Sequence, residues 1–219
     1  MNSEKKTTPP PRSLANLDAV ELNTHGLRLL EVAQAANGGP APWRARKMAE
    51  IHDLAALAQV SGRFVIEWLD LADALRVVIA MRVPVPCRPD PHGPLQIAPF
   101  AQIGLTYRAE ALRSTQPGTS FVEILRPRHV WLPNVWHGAD GANEPQVLCL
   151  AGSVPAGIRT REILHMVFGA LSLQTVQMDS LDPAGVLSRE AAEWWQQPEN
   201  LTRVPLTREP FLYTPEVKS

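Results

Sequence analysis

Proline decides most of what this chain can fold into. The 219 residues include 21 prolines, roughly twice the usual ~5% share. Proline fixes φ and lacks an N–H, so helix interiors and central strands exclude it. Short elements joined by many loops must result. Six prolines fall between Pro84 and Pro99, which predicts an irregular crossing segment there. Pro205, Pro210 and Pro215 predict an extended tail beyond Pro198.

Residues 1 to 13 are polar, charged and proline-rich, and are expected to be disordered. Leu17, Val20, Leu27, Leu30 and Ala33 recur near helical spacing, predicting a helix over 14–36 that Asn37-Gly38-Gly39-Pro40 stops. A second helix is predicted from Trp43 to Ala58, with Met48, Ile51, Leu54, Ala55 and Ala58 as its apolar stripe. Arg44, Arg46 and Lys47 oppose the dipole at its start, so they read as a solvated basic turn or a partner contact.

From Gly62 the pattern changes to strands. Arg63–Leu69 and Leu75–Val83 are separated by Asp70-Leu71-Ala72-Asp73, which suggests a hairpin. Ile103–Leu112 and Ser120–Trp131 supply two more strands. Downstream, Thr160 is placed to cap a helix running to Leu173, and Ser188 one running through Trp195. No βαβ alternation is present, so the fold class is α+β with a four-stranded antiparallel meander sheet flanked by helices. The chain divides into an N-terminal extension (1–40), a main domain (41–200) and a tail (201–219).

A net charge of −1 argues against a nucleic-acid binder that depends on a broad basic surface. The longest apolar runs, such as Val77–Met81, are too short to cross a bilayer, and the N-terminus lacks the apolar stretch of a secretory signal. Two cysteines suggest no disulfide framework, and a reducing cytoplasm is the expected compartment.

Chemistry concentrates between Leu132 and Leu150. A Pro133-Asn134 turn leads into a Gly-rich polar loop, and the chain re-enters the core at Cys149, which is read as standing at the lip of that loop. Acyl transfer between thiols, or from thiol to amine, needs an accessible sulfur, an oxyanion donor and a group that readies the amine. Cys149 can supply the sulfur. The Asn134 amide can supply the donor or hold the loop in shape, and Asp182 can orient an incoming lysine. Bland readings stand beside these: Leu-Cys-Leu also suits a core thiol, and Asn134 and Asp182 also suit turns. His137 with Cys149 would make a cysteine hydrolase, though no orienting partner is identifiable. Cys87, His92, His129, His137 and Cys149 lack zinc-site spacing, and no phosphate loop or dinucleotide fingerprint is present, so no metal or cofactor is expected. Trp194-Trp195 reads as core packing or as a patch for a partner.

Pro133-Asn134-Val135 followed by Val147-Leu148-Cys149-Leu150 resembles the His-Pro-Asn and Ile/Val-Cys-Leu signature of ubiquitin-conjugating (E2) enzymes. Leu181-Asp182-Pro183 and Ser188-Arg189-Glu190-Ala191-Ala192 are similar to that family's Asp-Pro-Leu-x-Pro-Glu-Ala-Ala stretch, at about the family's distance from the cysteine. The resemblance covers Trp43 to Gln197. It implies the E2 (UBC-like) fold, with the helix over 14–36 as an addition. It also implies that Cys149 carries a ubiquitin-like modifier as a thioester, that Asn134 is the motif asparagine, and that Asp182 is the lysine-handling aspartate. The partners it implies are an E1-like activating enzyme, a ubiquitin-like modifier and a target protein, with neither nucleic acid nor membrane. Two departures stand out: Leu132 replaces the motif histidine, and the loop between Asn134 and Cys149 is longer than the family's. Such divergence is similar to the bacterial E2-like proteins of ubiquitin-like conjugation operons, including the antiphage Bil type. A non-catalytic E2-like module that binds a modifier or an E1 is the alternative.

Overall fold

The computed structural model describes residues 28–90, 93–136, 145–175, 186–204 and 206–212. Helical residues 28–35 (α1) are the described end of the predicted first helix, whose earlier residues lie outside that set. Ala33 on it is buried in the main core, so the end of the N-terminal extension belongs to the folded body. Gly38 follows because the Ala72 backbone passes so close that a Cβ there would sit 2.2 Å from the Ala72 oxygen.

α2 (Ala41–Ser61) buries Trp43, Lys47, Glu50, Ile51 and Leu54, a true helical stripe that includes two charges. The basic start is therefore neither a solvated turn nor a partner contact at Lys47. Its ammonium is fully buried and donates to the carbonyls of Gly38 (3.0 Å), Ala72 (3.3 Å) and Leu71. Leu71 and Ala72 belong to the turn between β1 (Phe64–Asp70) and β2 (Leu75–Met81), and the Leu71 carbonyl also accepts from the Gly38 N–H (3.1 Å). Burial pushes the Lys47 pKa down, and Asp70 and Asp73 push it partly back.

The predicted hairpin is present, with Phe64 opposite Met81 and Asp70 opposite Arg76. The proline-rich crossing holds a small antiparallel pair, β3 (Val85–Cys87) with β4 (Gln96–Ala98), where an irregular segment is expected. Proline is tolerated because this ribbon is two-stranded and short. β5 (Ala101–Tyr107) ends before the expected Leu112, since 109–112 form a 3-10 turn. β6 (Gln116–Pro117) stands apart from the main sheet, and β7 (Val122–Arg126) is shorter than the Ser120–Trp131 expected. β8 (Val135–Trp136) and β9 (Gln146–Leu148) follow, then β10 (Ser153–Val154), which pairs with β6. The sheet is thus six-stranded rather than four, in the order β1-β2-β5-β7-β9-β8, with every neighbour antiparallel.

Period-two alternation buries one face of this sheet: Leu75, Val77, Ile79 and Met81 on β2, and Ala101, Ile103, Leu105 and Tyr107 on β5. α2 and α3 (Thr160–Leu171) pack together over that core, α3 contributing Ile163, Leu164, Val167 and Phe168. Thr160 is not the cap of α3, since Arg159 holds the N-cap position. Glu162 closes a capping box by accepting from the Arg159 N–H (2.8 Å), and α2 adds to it: buried Glu50 accepts from the Thr160 N–H (2.8 Å) and hydroxyl (2.7 Å), and pairs with Arg46 and Arg159. A carboxylate at a helix N-terminus also answers the dipole.

α4 (Arg189–Trp195) is capped by the Ser188 side chain, as its sequence suggests. Trp195 is fully buried and donates to the Trp131 carbonyl at 2.8 Å, while Trp194 is half-buried. α5 (Pro198–Arg203) occupies part of the expected extended tail, because Pro198 sits in the first turn, where a missing N–H costs nothing. Phe211 is a core residue on Phe64 and Phe168, so the described tail is docked. Among the described residues no helix is long and apolar enough to cross a membrane.

Removing the buried ammonium takes its donor from the Gly38 and Ala72 carbonyls together. Lys47→Met should lower unfolding stability in urea by about 2–4 kcal/mol. A loss below about 0.5 kcal/mol would show those carbonyls to be satisfied without it.

Candidate functional site

Val135 pairs with Leu148 and Trp136 with Val147, so β8 and β9 form a hairpin. The residue pair just outside its open end is Asn134 and Cys149. Two hydrogen bonds join them: the Cys149 N–H donates to the Asn134 carbonyl (2.8 Å), and Asn134 Nδ2 donates to the Cys149 carbonyl (3.0 Å). The connection between Trp136 and Gln146 leaves from the other end of this hairpin. The long loop therefore does not separate Asn134 from Cys149, and Cys149 stands at the opposite end from the lip expected.

The Cys149 carbonyl can only accept, which fixes which way the Asn134 amide faces. Its Nδ2 is thereby used in holding the Cys149 backbone, the second of the two roles open to it. Oδ1 is buried with no hydrogen-bond partner among the described residues. Leu132, in place of the motif histidine, is a fully buried core side chain whose carbonyl closes the turn by accepting from the Val135 N–H (3.3 Å).

Beyond Cys149 the chain is stapled along its length. The Leu150 N–H donates to the Gly118 carbonyl (3.2 Å), β10 pairs with β6, and the Gly157 N–H donates to Ala111 (2.8 Å). The Tyr107 hydroxyl donates to the Ile158 carbonyl (2.7 Å) just before Glu50 takes hold of α3. Residue 118 has to be glycine, because an added Cβ would lie 1.8 Å from the Ala151 oxygen. On the other side, the Leu187 and Ser188 N–H groups both donate to the Pro133 carbonyl at 2.8 Å. The start of α4 is thereby tied to the residue before Asn134.

The thiol itself is nearly enclosed: Cys149 is 6% exposed and its S–H points to the Ala151 carbonyl (3.3 Å). Burial pushes its pKa up, partly offset by the Ala151 backbone, so the sulfur is protonated at neutral pH. A thiol of this kind attacks slowly until deprotonated. Cys87 is also buried with a raised pKa, sits in the β3–β4 ribbon, and is structural.

The structure thus brings Asn134 and Cys149 together. Asp182 and His137 lie outside the described residues. Among the described residues no group of three or more His, Cys, Asp or Glu side chains is placed to hold a metal ion. Sequence reasoning missed Gly118 and the Leu187-Ser188 contact, because both act through backbone that carries no residue signature. Comparison with protein-family models, with curated proteins and with solved structures finds no match.

In a Cys87→Ser background, iodoacetamide should label Cys149 slowly at neutral pH. The rate should rise with pH to a half-point above the free-thiol value of about 8.5. Asn134→Ala frees the Cys149 carbonyl and should speed labelling at every pH, as mass spectrometry would read it. A half-point below about pH 8, or labelling indifferent to Asn134, would contradict this geometry.

Proposed function

We propose that this protein is an E2-like conjugating enzyme with a UBC-like fold, which carries a ubiquitin-like modifier on Cys149. The observation that carries the reading is the reciprocal hydrogen bonding of Asn134 and Cys149, with the start of α4 docked on the neighbouring Pro133 carbonyl. Three stretches that resemble the family, distant in sequence, lie side by side. The α+β layout with an antiparallel sheet flanked by helices is compatible with it.

In the first step the Cys149 sulfur, losing its proton, attacks the carbonyl carbon of the modifier's thioester on an E1-like protein. A new S–C bond forms and the E1 thiolate leaves. In the second step a target amine, best a lysine, attacks the same carbon and Cys149 leaves as thiolate while the amine nitrogen gives up a proton. A high-pKa thiolate leaves slowly, so discharge rests on positioning the amine, which is the role proposed for Asp182. With Asn134 Nδ2 committed to the Cys149 carbonyl, this residue keeps the reacting sulfur in place. The biological setting that fits is a bacterial conjugation operon of the antiphage kind. ATP is used by the activating partner.

One observation favours a second reading. The enclosed, protonated thiol suits a non-catalytic E2-like module that binds a modifier or an E1.

The two separate on a non-reducing gel after mixing the chain with an E1-like protein, its modifier and ATP. The enzyme reading expects a thiol-sensitive adduct that is absent in Cys149→Ala and stable to thiols in Cys149→Ser, with discharge to free lysine slowed in Asp182→Ala. An E1 that charges itself but never transfers to this chain would leave the binding-module reading standing alone.

A further inference from the structure

An acyl group on Cys149 can pass to any neutral amine or thiolate that reaches it, including those of the same chain. Lysine is the amine at risk, since roughly one side chain in a few thousand is uncharged near neutral pH. Arginine stays protonated and does not attack.

Only four of the 21 Lys and Arg residues are lysines. Lys5, Lys6 and Lys218 lie outside the described residues, so the described body holds one lysine, Lys47. It is fully buried, and its ammonium donates to the carbonyls of Gly38, Leu71 and Ala72. Burial lowers its pKa, which favours the reactive free amine, yet the same burial keeps any thioester from reaching it. The other thiol, Cys87, is 4% exposed in the β3–β4 ribbon, and burial holds its pKa up. Both competing nucleophiles are closed off. Every exposed Lys or Arg side chain among the described residues is consequently an arginine, including Arg44, Arg108, Arg113, Arg161 and Arg189.

Arg189 is the one that stands beside the candidate site. The Leu187 and Ser188 N–H groups hold the Pro133 carbonyl, and the residue after Pro133, Asn134, bonds Cys149 in both directions. Arg189 follows Ser188 directly, its side chain is 72% exposed, and it pairs with Glu193 one turn on (2.8 Å). Lysine at this position keeps the positive charge and the i,i+4 pair. What it changes is whether the group can become a nucleophile.

Resting on the conjugation reading, we propose that the folded body excludes transfer to itself. A charged Cys149 meets no amine and no second thiol on its own described surface, and so keeps its acyl group for an amine of another protein. Arg189 is the residue that sets this specificity, an arginine where a lysine would be acylated. That acylation would form an N–C amide bond at the carbonyl carbon and break the S–C bond. Cys149 would leave as thiolate and the amine's proton would pass to water.

The test incubates the full chain for hours with acetyl-Phe-Gly-Gly thiophenyl ester, a small thioester that needs no activating enzyme. Hydroxylamine then removes thioesters, and peptide mass spectrometry maps the amides that remain. Arg189→Lys should gain an amide at position 189, at a rate independent of protein concentration and about tenfold or more above that in Arg189→Lys/Cys149→Ala. Lys47 should stay unmodified in every variant. The proposal is overturned if Lys47 is acylated in the folded wild-type chain. It is also overturned if the amide at position 189 forms as fast without Cys149, which includes the case in which the sulfur never loads. Failure of the conjugation reading gives a different result: the sulfur loads from the peptide thioester and acylates position 189, while an E1-like protein never charges it.

Discussion

Glu50 is a carboxylate with no access to water, and the placing of the candidate site depends on it. Its two oxygens meet Arg46, Arg159 and both donors of Thr160, so the first turn of α3 is tied to α2. Burying an ion is expensive unless it is paired and fully hydrogen-bonded, and this one is both. One turn earlier on the same face, Lys47 binds the carbonyls at residues 38, 71 and 72. α2 therefore clamps the β1–β2 turn with one charge and α3 with the other. Because α3 is fixed, the segment from Cys149 to Arg159 has both ends defined, and its staples to Gly118, Ala111 and Tyr107 leave it little freedom.

The consequence for the thiol is positional rather than electronic. Burial raises the Cys149 pKa and the Ala151 backbone offsets that only in part, so no ready thiolate results. What the fold supplies is a sulfur whose backbone is held on both sides by Asn134. Under the proposed function, catalysis at such a group would draw on proximity and orientation, which can lower a barrier by about 7–11 kcal/mol, more than a modest change in basicity could. The same enclosure protects a resting thiol from adventitious oxidation, because oxidation follows thiolate character and exposure.

The central strands are legible because β1 and β2 are dense in Val, Ile, Leu, Phe and Trp, and β5 alternates apolar and small or polar residues over its seven positions. β8 and β9, two and three residues long, are too short to show a period, and the polar loop between them reads as interruption. α2 is legible, yet its buried face only in part: the apolar stripe places Ile51 and Leu54 inward, while Lys47 and Glu50 escape a rule that sends charges to solvent. Later prolines suggest an extended tail beyond Pro198, whereas Pro198 itself initiates α5. Phe211 offered no period at all and is placed by aromatic packing against Phe64 and Phe168. At the site, Cys149 and Asn134 were identified by their residue types, and their contact came from strand pairing that spacing alone could not predict. Gly118 carried no signal beyond its own small size.

The proposed activity requires a covalent bond to one sulfur, that of Cys149. After charging by an E1-like protein, acid-quenched, non-reduced protein can be digested and its peptides sequenced by mass spectrometry. The expected result is the modifier's C-terminal residues attached through their carboxyl carbon to the peptide bearing Cys149, released by hydroxylamine. Attachment to Cys87 or to a lysine of this chain, with Cys149 found free, would contradict it.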